Sequence, residues 1–381
     1  MRIGILVTGF APPWTEGVRN AAFGMAKELV NIKNEVFVIT SWHDGLKKFD
    51  MINKLKIYRI PNLIREIPLF KTIKLNPLIR LIKLLDLDVI VSYIRSFYLG
   101  IGIGLSVISY LTQTPLIHIV HSYPELLFRK NRRWILPLFF NRNTVVSATK
   151  HLKYKLAELG ISSHFVPIGI DTKRFSSKIN GGKIRQELGI LKDSPVVFFS
   201  GGPHTQGINA FLKALEMVCS KHPEITIIFN KRSSRMYLDD WGQITYFKES
   251  SKELGIAKNI RYIGARDDIL SIYAASDIII LPTFSPLRVL AYPLSLLEGM
   301  SMGKAVITTE VGSIPEIVEN KKTGILVNSG DSDKLANAII TLVEDRSLRQ
   351  KLGKNARMKT QTKFNIKIVA DELLKLIERI V

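Results

Sequence analysis

Apolar residues along the chain fall into short continuous runs, separated by stretches in which they recur every three or four positions. Residues 2–8, 35–40, 56–60, 88–92, 116–121 and 143–147 form such runs, and 196–200, 225–229, 260–264 and 278–281 form a second set. Short runs without polar interruption predict strands buried on both faces. Residues 18–30, 147–159 and 208–221 carry helical spacing, the second of these stopped by Gly160. Strand and helix in alternation predict a parallel sheet with helices on both faces. The alternation runs through the first half and starts afresh at Val196. It predicts two doubly wound, Rossmann-like α/β domains facing a central cleft, over residues 1–172 and 173–364. Residues 365–381 read as an amphipathic helix, expected to cross back to the first domain. Ligands of doubly wound sheets sit outside the carboxyl ends of the strands, which makes the cleft the default site.

A length of 381 residues suits two domains. The one cysteine, Cys219, excludes an intrachain disulfide and agrees with a reducing, cytoplasmic setting. The opening run reads as a buried strand, not as a secretory leader. The most apolar stretch, residues 98–111, is shorter than the ~20 residues a membrane span requires, and predicts a buried helix.

Charge changes the picture most. The net charge is +21, and residues 1–175 hold 25 Lys and Arg against 11 Asp and Glu. Residues 47–83 carry ten basic side chains against Asp50 and Glu66, interleaved with Ile, Leu, Phe and Pro, and a second cluster spans 129–133. Cations mixed with bulky apolar residues suit an anionic membrane surface. A nucleic-acid partner is not expected, because the clusters lack the regular aromatic interleaving of a stacking platform. The lysine-rich composition of a heat-adapted protein is the alternative.

Residues 281–323 hold the chemistry. A helix beginning near Pro293–Ser295 would present free backbone N–H groups and a positive dipole end to an anion such as a diphosphate. Glu298, one turn further in, is placed to accept two hydrogen bonds from a ribose diol, although local pattern alone also fits a solvated helix carboxylate. No Asp-x-Asp metal motif stands out: Asp86 and Asp88 adjoin a buried strand, and Asp331 and Asp333 fall at a helix start.

LLEGMSMGKAVITT, GSIPEIV and KKTGILV in this segment together resemble the signature of the family 4 retaining glycosyltransferases of the GT-B fold. The resemblance extends over nearly the whole chain. VPIGIDTKRF is similar to the family's domain-linking segment, and APPWTEGVRNAAFGMAKEL to the glycine-bearing loop and first helix of the acceptor domain. PLIHIVHS is similar to the strand with the active-site histidine, and IRYIGARDDILSIYAASDIIILPT to the base-binding unit. The resemblance implies a metal-independent reaction without a cofactor, in which a nucleotide-diphospho-sugar serves as co-substrate. It places sugar contact on His121, which read alone also fits a satisfied histidine at a strand end. It also implies close backbone approach at Gly17, ribose binding by Glu298 and diphosphate binding by the backbone of Pro293, Leu294, Ser295 and Leu296.

The chain departs from the family pattern at three places. Leu290 stands where the first signature glutamate is expected. The loop SGGPHTQGIN has Gly201 or Gly202 and Gln206 where an arginine and a lysine grip the diphosphate. Ile168 replaces an asparagine. His204, Arg232 and Arg288 are the candidate replacements for the missing cations, with Lys231 beside them. The implied function is hexose transfer to a lipid-linked or cell-surface glycan acceptor. The alternative is a catalytically silent homologue acting as a binding subunit in glycan assembly. A nicotinamide oxidoreductase is disfavoured, because GFAPPWTEG after the first strand is not Gly-x-Gly-x-x-Gly.

Overall fold

The computed structural model describes residues 1–10, 17–67, 70–94, 99–121, 137, 140–200, 207–230, 240–264, 266, 268–283 and 292–381. The chain divides into two compact units. One comprises Met1–Asp171 together with Phe364–Val381, and the other is Thr172–Lys363.

In the first unit, β1 (Arg2–Val7) leads to helix α1 (Gly17–Asn31) and β2 (Glu35–Ser41), which pairs parallel with β1. Ala22, Met25, Ala26 and Leu29 of α1 cover the sheet, at the i, i+3, i+4, i+7 spacing of one helix face. The chain then makes a hairpin of β3 (Phe49–Ile52) and β4 (Leu55–Ile60). Asn53 and Lys54 at its tip both have positive φ, 51° and 65°, the backbone signs of a type I′ turn. A second hairpin, β5 (Ile64–Ile67) and β6 (Phe70–Ile73), forms its own two-stranded sheet.

Helix α2 (Leu75–Leu85), β7 (Val89–Ser92), helix α3 (Leu99–Thr112), β8 (Leu116–Val120), β9 (Thr144–Ser147), helix α4 (Lys150–Ala157) and β10 (His164–Phe165) follow. Eight of the unit's ten described strands form one sheet in the order β10-β9-β8-β7-β1-β2-β4-β3, parallel except for the edge pair β3–β4. The apolar stretch around residue 100 is α3, packed against α2 and β6 with Ile101, Leu105 and Ile108 buried. Among the described residues no helix is long and apolar enough to cross a membrane. The pattern over 147–159 resolves differently from the expectation of one helix. Ser147 ends β9, and Thr149 caps α4 by accepting a hydrogen bond from Leu152 N–H at 3.0 Å.

The second unit runs α5 (Gly182–Glu187), β11 (Val196–Phe199), α6 (Ile208–Lys221), β12 (Thr226–Asn230), α7 (Asp240–Glu253), β13 (Ile260–Ile263), α8 (Ile269–Ala275), β14 (Ile278–Leu281), α9 (Leu294–Ser301), β15 (Ala305–Thr309), α10 (Ile314–Ile317), β16 (Ile325–Val327), α11 (Ser332–Glu344) and α12 (Arg346–Lys363). Its six parallel strands lie in the order β13-β12-β11-β14-β15-β16. Counted within the unit, that is 3-2-1-4-5-6, the Rossmann order, with the reversal between β11 and β14. Stacked rings of Phe199, Phe211, Phe229 and Phe247 fasten β11 and β12 to α6 and α7, with centroids 4.5–5.9 Å apart.

The last helix, α13 (Ile366–Ile377), belongs to the first unit. Ile170 N–H donates to Phe364 O at 2.7 Å and Ile366 N–H to Ile170 O at 2.9 Å. Val369, Ala370 and Leu373 then join the core beneath α1. Gly169 is required at this crossing: a Cβ there would lie 2.8 Å from Ile366 Cα.

Candidate active site

Helix α9 enters at Pro293, whose backbone is extended (φ −60°, ψ 113°) and which offers no side-chain cap. Proline has no N–H, so it cannot donate to an anion. Leu296 N–H is turned back to Pro293 O at 3.0 Å. Of the four backbone positions expected at a diphosphate, the donors left by the first turn are therefore Leu294 and Ser295 N–H. This narrows the sequence expectation, which assigned the whole segment from Pro293 to Leu296. The Leu296 side chain is fully buried in the core.

Glu298 lies one turn inside the helix, half-buried. Tyr273 Oη donates to Glu298 Oε2 at 2.7 Å and approaches Ser295 O at 3.1 Å. Tyr273 is wholly buried in α8. The Phe198 and Phe175 rings meet it edge-on, at 5.2 and 6.3 Å. A ring held on two sides keeps its hydroxyl at one place, and through it the Glu298 carboxylate. Sequence reasoning did not find Tyr273. The one signal was a tyrosine inside an apolar helical run, which needs a partner for its hydroxyl when buried.

Neighbouring contacts fix the carboxyl rim of this sheet. Thr309 Oγ1 takes a hydrogen bond from Thr283 N–H at 2.9 Å and gives one to Thr283 O at 2.5 Å, clasping the ends of β14 and β15. Tyr292 Oη donates to Glu316 Oε2 at 2.5 Å, so the residue before α9 is tied to α10. Beyond β13, Arg266 grips both oxygens of Glu187 and both of Asp268 at 2.5–2.9 Å, holding the two carboxyls below their ordinary pKa range. Its guanidinium is thus committed to the protein.

The signature lysine serves packing. Lys304 stands before β15, at the amino edge of the sheet, with Nζ donating to Ala274 O at 3.0 Å; burial holds its pKa below the ordinary lysine value. Gly303 beside it has φ +73°, and a Cβ on Gly353 of α12 would lie 2.1 Å from Gly303 O, so both positions demand glycine.

In the first unit, His121 follows β8 and is 5% exposed, with Nδ1 3.3 Å from Ile119 O. With Nδ1 protonated, the ring would donate to that carbonyl and leave Nε2 as the acceptor nitrogen. His118 is fully buried with its ring edge-on to Phe140, and burial pushes its pKa down to about 3. Gly17 is the first residue of α1, half-buried. Ile168, in place of asparagine, lines a small apolar cavity of about 20 Å³ with Met25, Tyr93, Ile119 and Val166. Gly201, Gly202, His204, Gln206, Lys231, Arg232, Arg288 and Leu290 lie outside the described residues.

Two family profiles match the chain: Glycosyltransferase Family 4 over residues 15–174 and Glycosyl transferases group 1 over residues 181–359. The crystal structure of Anabaena HepE in complex with UDP superposes with a TM-score of 0.80 over 100% of both chains, at 19% identity. The UDP-Gal:alpha-D-GlcNAc-diphosphoundecaprenol alpha-1,3-galactosyltransferase of Escherichia coli is 24% identical over 368 residues, covering 93% of this chain and 91% of its own length. The D-inositol 3-phosphate glycosyltransferase of Corynebacterium jeikeium is 28% identical over 222 residues, 56% of this chain; the match spans about half, 51%, of that relative. Fold and profiles together define a glycosyltransferase with the two-Rossmann architecture called GT-B. The chain belongs to the family 4 glycosyltransferases, as a divergent member.

Proposed function

We propose that this protein moves a hexose, with retention of configuration and without a metal ion, from a nucleotide-diphospho-sugar to a lipid-linked or cell-surface glycan acceptor at the cytoplasmic face of a membrane. The observation that carries the reading is the entrance of α9, where two backbone N–H groups precede a carboxylate held by Tyr273. Leu294 and Ser295 N–H and the helix dipole stabilise the departing diphosphate, and Glu298 takes both hydroxyls of the ribose. In the first unit, His121 contacts a sugar hydroxyl and Gly17 lets the backbone approach the reacting sugar. The protein needs no cofactor beyond the nucleotide-sugar itself. Gly201, Gly202, His204, Gln206, Arg232 and Arg288 belong to the proposed donor site on sequence grounds.

Two relatives support the substrate classes. HepE was solved with UDP-glucose, and the Escherichia coli enzyme is a galactosyltransferase named for a diphosphoundecaprenol-linked acceptor. The membrane part of the proposal rests on β3. Phe49 and Met51 are 48% and 60% exposed there, and Lys47, Lys48 and Lys54 around them are exposed. Two cations of the basic stretch are occupied otherwise: Lys56 is paired with Glu35 at 2.5 Å, and the buried Arg59 donates to Lys47 O at 2.8 Å.

A turnover screen tests the reading. UDP-, GDP- and ADP-hexoses would be offered with undecaprenyl-diphosphate-linked sugars, with and without EDTA. Transfer of a hexose that keeps its anomeric configuration and is indifferent to EDTA is the expected result. Absence of both turnover and binding with every donor contradicts it.

A further inference from the structure

The carboxyl rim of the six-stranded sheet carries buried polar atoms that find no hydrogen-bond partner among the described residues. Ser200 follows β11 and Asn230 ends β12. Phe199 and Phe229 are register partners, so Ser200 and Asn230 form the next pair on two neighbouring parallel strands, about 5 Å apart at ordinary strand spacing. Ser200 is 2% exposed and Asn230 5%. Ser200 Oγ and Asn230 Oδ1 have no hydrogen-bond partner. The backbone N–H of Ser200 donates to Ile280 O of β14 at 3.3 Å, which sets the residue at the point where strand order reverses. Ser313, in the turn after β15, is also 2% exposed with its Oγ unsatisfied. The other such atom among the described residues of this unit, Asn259 Oδ1, is at the amino edge, on a side chain whose amide already donates to Pro223 O and Ile225 O.

A buried polar group without a partner costs about 1–3 kcal/mol, and native proteins leave few of them. Chance would scatter such atoms over the sheet. Here they gather at the end where doubly wound sheets take their ligands. We infer that Ser200 and Asn230 are donor-binding residues, whose neutral hydroxyl and amide meet polar groups of the nucleotide-sugar; this rests on the reading of α9 as a donor site. A hydroxyl both gives and takes a hydrogen bond, and an amide offers a carbonyl and an NH2. The Ser200 hydroxyl can therefore engage a sugar hydroxyl or a diphosphate oxygen, and the Asn230 carbonyl a hydroxyl or N–H of the ligand, with no cation at either position. Buried neutral groups of this kind also discriminate strongly, because a donor lacking the matching group leaves them unsatisfied.

Ser200→Ala and the near-isosteric Asn230→Leu separate this role from a structural one. Both variants, the wild type and Glu298→Ala would be titrated with UDP-, GDP- and ADP-glucose and with the matching nucleoside diphosphates, alongside thermal unfolding without ligand. Each rim substitution should weaken the donor by about 3- to 30-fold, with the unliganded Tm unchanged or raised, because no internal hydrogen bond is lost. Weakening confined to the sugar nucleotide places the contacts on sugar hydroxyls, and equal weakening for the diphosphate places them there; either upholds the inference. Unchanged affinity in both rim variants, with Glu298→Ala impaired, overturns the inference and leaves the α9 reading standing. A lowered Tm with unchanged affinity overturns it as well. Failure of the wild type to bind any of these ligands removes the α9 reading and this inference together.

Discussion

Tyr273 Oη and Glu298 Oε2 lie 2.7 Å apart, linking two helices 25 residues apart in sequence. The hydroxyl is the polar end of a fully buried ring, and it holds the carboxylate proposed to meet the ribose. Tyr273→Phe keeps the packing on Phe198 and Phe175 and removes that restraint. Donor KM should rise about 3- to 10-fold with kcat little changed, and Tm should fall by the equivalent of about 1 kcal/mol. Initial rates over a donor series and thermal unfolding check both; a fall in Tm with KM unmoved would make Tyr273 a packing residue alone.

Lys304 belongs to the scaffold although it stands in the signature segment. Its Nζ caps Ala274 O at the amino edge of the sheet, opposite the carboxyl rim. Lys304→Met would leave that carbonyl without its partner and should destabilise the second unit by about 1–2 kcal/mol. Calorimetric donor affinity at a temperature where the variant is folded should be unchanged.

His118 gives the first unit a pH dependence of known sign. Its folded pKa of about 3 lies below the ordinary 6.5 because burial disfavours the charged ring. Its contribution is therefore complete above pH 6.5 and is lost as pH falls toward 3, at no more than about 1.4 kcal/mol per pH unit. Denaturant unfolding of the wild type and His118→Phe between pH 7 and 4.5 checks this. The wild type should lose stability more steeply, and parallel curves would refute the assignment.

The β3 edge makes a specific prediction about membranes. Reversing charge at Lys47, Lys48 and Lys54 should abolish flotation with vesicles rich in phosphatidylglycerol, and adding Phe49→Ser and Met51→Ser should weaken what remains at high salt. Neutral phosphatidylcholine vesicles should leave the wild type in the pellet fraction. Flotation that ignores the charge reversal would rule out this edge as the contact.

Much of the fold was legible in the sequence because parallel strands in a doubly wound sheet are apolar throughout. The segments 208–221 and 278–281 coincide with α6 and β14. The pattern missed β3, β5 and β6, and physical reasons explain why. Phe49 and Met51 face outward, each strand is four residues long, and the β3–β4 turn uses Asn53 and Lys54 at positive φ where a glycine would have signalled it. At the candidate site, Glu298 stands out in the sequence through its motif. Tyr273 does not, since its partner is on another helix. Ser200, Asn230 and Ser313 become informative only once burial and missing partners are known, which no spacing along the chain encodes. Pro293 and Leu296 differ from Leu294 and Ser295 because proline has no N–H and the Leu296 N–H turns back to Pro293 O, a distinction that spacing along the chain does not carry.

The most direct measurement sets ribose recognition against Glu298. Wild type and Glu298→Ala would be titrated with UDP-glucose and with its 2′,3′-dideoxyribose analogue, or with the GDP or ADP pair if that donor binds. A carboxylate holding both ribose hydroxyls should make the wild type prefer the natural donor by about 10- to 100-fold. Glu298→Ala should bind the two alike, near the affinity the wild type shows for the analogue. A wild type that does not distinguish them, or a Glu298→Ala variant that keeps the full preference, would contradict the assignment.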